Sequence, residues 1–266
     1  MPGIKDANCV LVLGATAGLG RSLALAIHDL ETKPTVIVAG RRQERLDELA
    51  AKSERIKTTR VDINTHHDNL KQFVHDILSQ YPQLDAIMLS SGIQHIFDFK
   101  KPDTIDFKLI DDEFNTNYVS IIKLIVLFLP HFLNRNLEGK PSFIIPITSA
   151  LGVVPKADLP NYSATKASLH SWAISLRAQL KGTIVHVMEI LPPLVESELH
   201  DHQGLTPALS KIWMPLDQFT NLTMECLIRG DPEIAVGFAA TFFDKFEKGK
   251  REQVEQNIDK VPTKSV

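Results

Sequence analysis

CVLVLGATAGLG, residues 9–20, decides the fold. Cys9–Leu13 is a short apolar run rich in branched side chains, which reads as a buried strand. Gly14, Gly18 and Gly20 follow at once. Leu19, Leu23, Ala26, Ile27 and Leu30 then fall on one stripe, which predicts a helix over 18–30. A strand running through a glycine loop into a helix suits a phosphate. Glycines permit the tight turn and the close approach of backbone, and the helix start supplies amide donors. The spacing G-x-x-x-G-x-G differs from the usual G-x-G-x-x-G, so position in the first strand–loop–helix unit carries the reading. The alternative is a turn that merely needs glycine.

Outward from this unit the same alternation repeats. Thr35–Ala39, Ile56–Val61, Leu84–Leu89, Ser142–Ile147, Ile184–Ile190 and Glu233–Val236 read as strands. Between them, 43–52, 66–80, 109–133, 162–180 and 217–229 read as helices. Pro146 is awkward in its strand, because proline cannot donate to a ladder. Nearly continuous apolar strands separated by helices predict an α/β fold, a doubly wound parallel sheet of about seven strands with helices on both faces. A closed eight-stranded barrel fits less well.

Composition narrows the function. The chain has 266 residues, 44% apolar and 23% charged, with a formal charge of −3. No linker or repeat interrupts it, so residues 1–250 are expected to form one domain and 251–266 a frayed tail. The charge excludes a strongly basic nucleic-acid binder. Two cysteines, Cys9 and Cys226, make no disulfide framework. The N-terminal stretch lacks the pattern of a signal peptide. The most apolar stretch, 119–133, is interrupted by Lys123, Pro130 and His131, short of the ~18 residues a membrane span needs. The expectation is a soluble, cytoplasmic protein with neither nucleic acid nor membrane as a partner.

Three groups carry chemistry. Arg41 and Arg42 close the second strand, where a carboxylate would bind a ribose 2′-hydroxyl; two guanidiniums suit a 2′-phosphate instead. The plainer reading is a solvated helix start. Tyr162 and Lys166 stand four apart in YSATK, on one face of a helix. An ammonium beside a phenol should lower its pKa from ~10 toward neutrality and fit it for proton exchange with a substrate oxygen. Ser149, thirteen residues upstream at the end of the fifth strand, can donate a hydrogen bond to the same oxygen. Asn117 lies on the preceding long helix. Asp111, Asp112 and Glu113 read as favourable charges at that helix's start. His170 is expected to face a neighbouring helix.

GATAGLG, Asn117, Ser149 and YSATK, in this order and at these separations, resemble the short-chain dehydrogenase/reductase (SDR) family over about residues 7–240. SSGIQ (90–94), 154–171, LRAQLK (176–181) and EILPPLVESEL (189–199) are similar to its DltE-like oxidoreductase branch. The resemblance implies a Rossmann-type fold and an NADP(H) cofactor. It implies Tyr162 as general acid/base, Lys166 as its tuner and ribose ligand, and Ser149 as orienter of the carbonyl. Asn117 would hold a relay water. Gly14, Thr16, Ala17, Gly18, Leu19 and Gly20 would hold the phosphates, with Arg41 and Arg42 at the 2′ position. Asp62 and Ile63 would contact adenine; Ser90, Ser91, Gly92, Pro192, Leu194 and Val195 would line the nicotinamide end. No metal is expected.

Leu13, Leu89-Ser90-Ser91-Gly92 and Pro192-Pro193 depart from the usual family pattern without removing a catalytic group. Residues 194–215 would form a substrate lid. In it His200 and His202 read as polar lid residues, while Leu205, Leu209, Trp213 and Met214 either cover an apolar substrate or pack inward. The implied activity is NADPH-dependent reduction of a small hydrophobic ketone or aldehyde, by a homodimer or homotetramer built on the two long helices. Reduction of a C=C or C=N bond, or a non-catalytic NADP-binding regulator, are the alternatives.

Overall fold

β1 (Cys9–Leu13) is buried along its whole length, as a strand covered on both faces must be. In this computed structural model, which describes residues 2–258, β1 is flanked by β2 (Thr35–Gly40) and β4 (Ala86–Leu89), both parallel to it. The main sheet has six strands in the order β3-β2-β1-β4-β5-β6, with β3 at Ile56–Arg60, β5 at Ser142–Pro146 and β6 at Val185–Val187. The order reverses direction between β1 and β4, and an open α/β sheet binds ligands at that switch point. Pro146 occupies the last position of β5, opposite Leu89, where the ladder ends.

The expected strand count of about seven needs correction. The run 185–191 changes partner at Met188. β6 pairs with β5, while β7 (Glu189–Leu191) pairs with β8 (Glu233–Ala235) in a separate two-stranded sheet. A single bridge between Ile147 and Ile190 joins the two sheets.

Successive residues of a strand point to opposite faces, and the two cores follow that rule. Val10 and Val12 face α1 (Gly18–His28) and α8 (Leu216–Arg229), meeting Leu23, Ile27, Phe219 and Leu227. Cys9, Leu11 and Leu13 face the other side. There they meet Leu70 and Val74 of α3 (His67–Gln80), Leu124 and Phe128 of α5 (Ser120–Leu137), and Leu169 of α6 (Pro160–Gln179). Each such fully buried side chain contributes about 1.5–3 kcal/mol. Cys9 is fully buried, and burial beside Asp85 pushes its thiol up to about 12. Asp85 accepts the backbone N–H groups of Asn8 and Cys9 and so fixes the entry to β1.

The long helix expected over 109–133 is not uniform. α4 (Phe107–Phe114) passes into a π-helical turn at Asn115–Val119 before α5 begins. By length and apolar content the stretch 107–137 could cross a membrane, yet Ile121, Leu124, Ile125, Phe128 and Phe132 pack in the domain core. Asp106 caps α4 by accepting the N–H of Lys108. Glu113, expected among charges at the helix start, is instead its seventh residue and fully buried. After α8 come α9 (Phe238–Phe246) and α10 (Lys250–Ile258). The expected frayed tail begins as a helix tied to the turn after α6 and to β8 by the pairs Lys181–Glu255 and Arg251–Glu233; residues 259–266 lie outside the described residues.

Candidate active site

The carboxyl ends of β1, β2, β4 and β5 open on a crevice of about 800 Å³. At its floor the amides of Gly14 and Ala15 both donate to the Ala39 carbonyl, at 2.9 and 3.1 Å. Gly14 holds φ +78°, and a Cβ there would lie 2.6 Å from the Ser91 nitrogen. Any side chain would push this loop off the crossing after β4. Thr16, Ala17, Gly18 and Leu19 line the crevice with Ser90, Ser91 and Gly92. Gly20, read from sequence as a phosphate ligand, is not part of the lining. A Cβ on it would meet the Gly14 carbonyl oxygen at 2.4 Å, so its smallness serves helix-to-strand packing. The cradle, a backbone surface beside the start of α1, fits a dinucleotide's pyrophosphate.

The arginine edge is engaged rather than open. Arg42 donates through Nε and Nη2 to Thr16 Oγ1, at 3.2 and 3.1 Å, and through Nη1 to Glu198 at 2.6 Å. Arg45, which the sequence reading did not assign, reaches the other Glu198 oxygen at 3.3 Å. The Arg41 guanidinium lines the crevice with no hydrogen bond or ion pair among the described residues. Asp62 and Ile63 also line it, Asp62 accepting the Asn64 N–H. Pro192, Leu194 and Val195 close the far wall.

Tyr162 and Lys166 sit one turn apart in α6, both buried, with Lys166 Nζ 5.6 Å from the Tyr162 ring centre. The expected fall in the tyrosine's pKa is not found. Burial raises it well above the ordinary phenol value; a hydrogen bond from Ser149 opposes the rise and the Glu113 charge adds to it. Burial likewise lowers Lys166 to about 8, against the pull of Glu113. Lys166 Nζ donates to the Ile147 carbonyl at 2.9 Å. Ser149 Oγ accepts the Leu151 N–H, which leaves its own proton for another acceptor.

Asn117 falls inside the π-turn, fully buried. Its Oδ1 accepts the Ile93 N–H at 2.9 Å, and its Nδ2 donates to the Ile93 carbonyl at 2.8 Å and to Thr165 at 3.2 Å. The amide thus clamps the chain after Gly92 to α6. A methyl group built on Gly92 would lie 3.5 Å from Asn117 Oδ1 and 3.7 Å from Lys166 Nζ.

Other groups in and behind the crevice wall take roles that the sequence did not predict. Glu113 accepts hydrogen bonds from the His95 N–H at 2.7 Å and from the Asn161 side-chain amide, joining the 93–97 segment to the start of α6. Burial raises its carboxyl above the usual range. Gln94, buried, donates toward His200 Nδ1 at 3.3 Å, and His202 bonds the Gln94 carbonyl at 2.9 Å. His200 is buried, whereas His202 is exposed and tied to the 93–97 segment by this bond. No sequence signal marked this cluster, because its members come from four separate segments.

The lid is pinned at its base, where Met214 N donates to Leu194 O and Glu196 N to Met214 O. Within it Glu198–Gln203 is 3₁₀ helix and Thr206–Leu209 (α7) a single α turn. Leu199, Leu205, Leu209 and Ile212 line the crevice. Met214 packs on the core and Trp213 lines a neighbouring hollow with Arg21 and Leu25, so of the two alternatives these residues take the inward one, while Leu205 and Leu209 face the crevice.

Residues 8–207 match the family model for short chain dehydrogenases. The chain is 36% identical over 205 residues to the uncharacterized oxidoreductase DltE of Bacillus subtilis, covering 75% of this chain and 77% of that one. It is 31% identical over 188 residues to the NADP-dependent 3-hydroxy acid dehydrogenase YdfG of Salmonella typhi, covering 70% and 72%. Among solved structures, a short-chain dehydrogenase from Sphingobium yanoikuyae in complex with NADPH superposes with a TM-score of 0.79. Its identity is 20%, over 100% of this chain and 98% of that one. A Burkholderia phymatum SDR in complex with NAD gives 0.78 at 16% identity, over 98% of each chain. The chain therefore belongs to the short-chain dehydrogenase/reductase family of oxidoreductases.

Proposed function

We propose that this protein is an NADPH-dependent carbonyl reductase, reversible as an alcohol dehydrogenase. The observation that carries the reading is a buried Tyr162 beside Ser149 and Lys166 at the mouth of a glycine cradle. Bound NADPH supplies the hydride. Tyr162, neutral at working pH, donates its proton to the oxygen of the ketone or aldehyde. Ser149 donates a hydrogen bond to that oxygen and fixes its place. Lys166 spends one proton on the Ile147 carbonyl and has two left for ribose hydroxyls. Arg41 and Arg42 take the 2′-phosphate through charge-assisted bonds. Leu199, Leu205 and Leu209 favour a small hydrophobic carbonyl compound.

The test is NADPH oxidation against a panel of aromatic and aliphatic ketones and aldehydes. Turnover with some of them is expected. Turnover with enones or imines alone would move the activity to C=C or C=N reduction. Tight NADPH binding with turnover on nothing would make the protein a regulator. We further infer a homodimer or homotetramer through α5 and α6, supported by the exposed Val126, Leu133 and Leu137 on α5; a monomer in sedimentation would reject it.

A further inference from the structure

The edge that should meet a 2′-phosphate already holds an anion supplied by the chain. Glu198, on the lid, bonds Arg42 through one carboxylate oxygen at 2.6 Å and Arg45 through the other at 3.3 Å. Arg42 cannot swing away freely, because Thr16 in the glycine loop grips its other two nitrogens. Its remaining arm points at the lid. A carboxylate held by two guanidiniums occupies the same donors that a phosphate dianion uses. Only one of the two anions can have the Arg42 Nη1 donor.

We propose that Glu198 is a specificity-determining residue for the cofactor: it competes with the 2′-phosphate for Arg42, while Arg45 steadies the carboxylate in place. The inference rests on the NADPH reading above. It has two consequences. NADPH binding must break the Glu198–Arg42 contact, so the wild-type preference for NADPH over NADH is smaller than the arginines alone would give. The same exchange loosens the lid's hold on α2 (Gln43–Ala50), leaving the longer Arg45 contact as its one remaining tie through Glu198. NADH has no 2′-phosphate and leaves the contact in place. Cofactor identity is thereby transmitted to the segment over the substrate.

The experiment measures dissociation constants for NADPH and NADH by calorimetry on the wild type, Glu198→Gln, Glu196→Gln and Arg42→Ala. Glu196 is the control. It is a lid carboxylate that accepts the Leu216 N–H and touches neither arginine. Glu198→Gln should tighten NADPH about two- to fivefold, the scale of an exposed ion pair, and leave NADH unchanged. Glu196→Gln should not move the ratio, and the gain should shrink as salt is raised. In the wild type, amides 198–203 should exchange faster in the NADPH complex than in the NADH complex, and Glu198→Gln should abolish that difference. An unchanged or weakened NADPH affinity in Glu198→Gln, with Arg42→Ala still losing NADPH, overturns the competition and spares the cofactor reading. Equal wild-type affinity for the two cofactors, with Arg42→Ala without effect, overturns the cofactor reading itself.

Discussion

At the scale of single residues, burial outweighs the Ser149 hydrogen bond at Tyr162. The phenol is neutral at working pH and so carries the proton that a carbonyl oxygen needs, although the raised pKa makes it a weaker acid than a free tyrosine. Tyr162→Phe keeps the ring and removes that proton. Turnover should fall at least ~100-fold, the usual weight of general acid catalysis. NADPH affinity by calorimetry should be unchanged, and near-wild-type turnover would remove Tyr162 from its role. Lys166 is charged below about 8 and neutral above it. The pH dependence of kcat/KM reports groups in the free enzyme. Reduction measured as kcat/KM should therefore decline as pH rises through about 8, and a flat profile to pH 9.5 would show that the lysine's charge is not needed. Arg41→Ala with Arg42→Ala should cost NADPH tenfold or more, a charge-assisted hydrogen bond being worth ~1.5–3 kcal/mol, and leave NADH untouched.

At the scale of elements, the lid divides into residues that face the crevice and residues that hold the lid down. Leu209 belongs to the first group and Trp213 to the second hollow. Leu209→Ala should raise KM for bulky carbonyl compounds with little change in melting temperature. Trp213→Ala should leave KM nearly unchanged; equal KM effects from the two variants would mean that the lid moves as one body.

The sequence could not separate these two residues, because apolar character in a loop says nothing of which way the chain turns. Regular elements were legible for the opposite reason. Val10 and Val12 against Leu11 and Leu13 show period-two sorting onto two cores, and the stripe through Leu23 and Ile27 predicts α1. The π-turn at 115–119 leaves no periodic trace, since one wide turn disturbs the stripe by less than a residue. Glu113 was misread for a related cause. A charge near a predicted helix start is normally solvated, and its burial arises only when His95 and Asn161 arrive from other segments.

At the scale of the whole molecule, a buried charge network ties the helices to the smaller sheet. His170 bonds Glu189 at 2.7 Å and lies 3.1 Å from Glu247, while Thr148, next to Ser149, donates to Glu189 at 2.6 Å. These carboxylates raise the imidazole to about 9, against the effect of burial. A folded-state pKa above the unfolded one stabilises the fold fully below pH ~6.5, and the stabilisation fades as pH climbs through about 9, about 3 kcal/mol over that window. The melting temperature should fall between pH 7 and 9.5. His170→Gln should be less stable at pH 7 and lose most of that slope; an unaltered slope would place the titration elsewhere. Cys9, at the centre of the sheet, offers a different use of the same core. Its sulfur is out of contact with water and its thiolate is suppressed, so a thiol reagent can meet it only when the strands part. In a Cys226→Ser background it becomes a stopwatch: the labelling half-life in native buffer counts complete openings of the molecule, with no denaturant and no extrapolation.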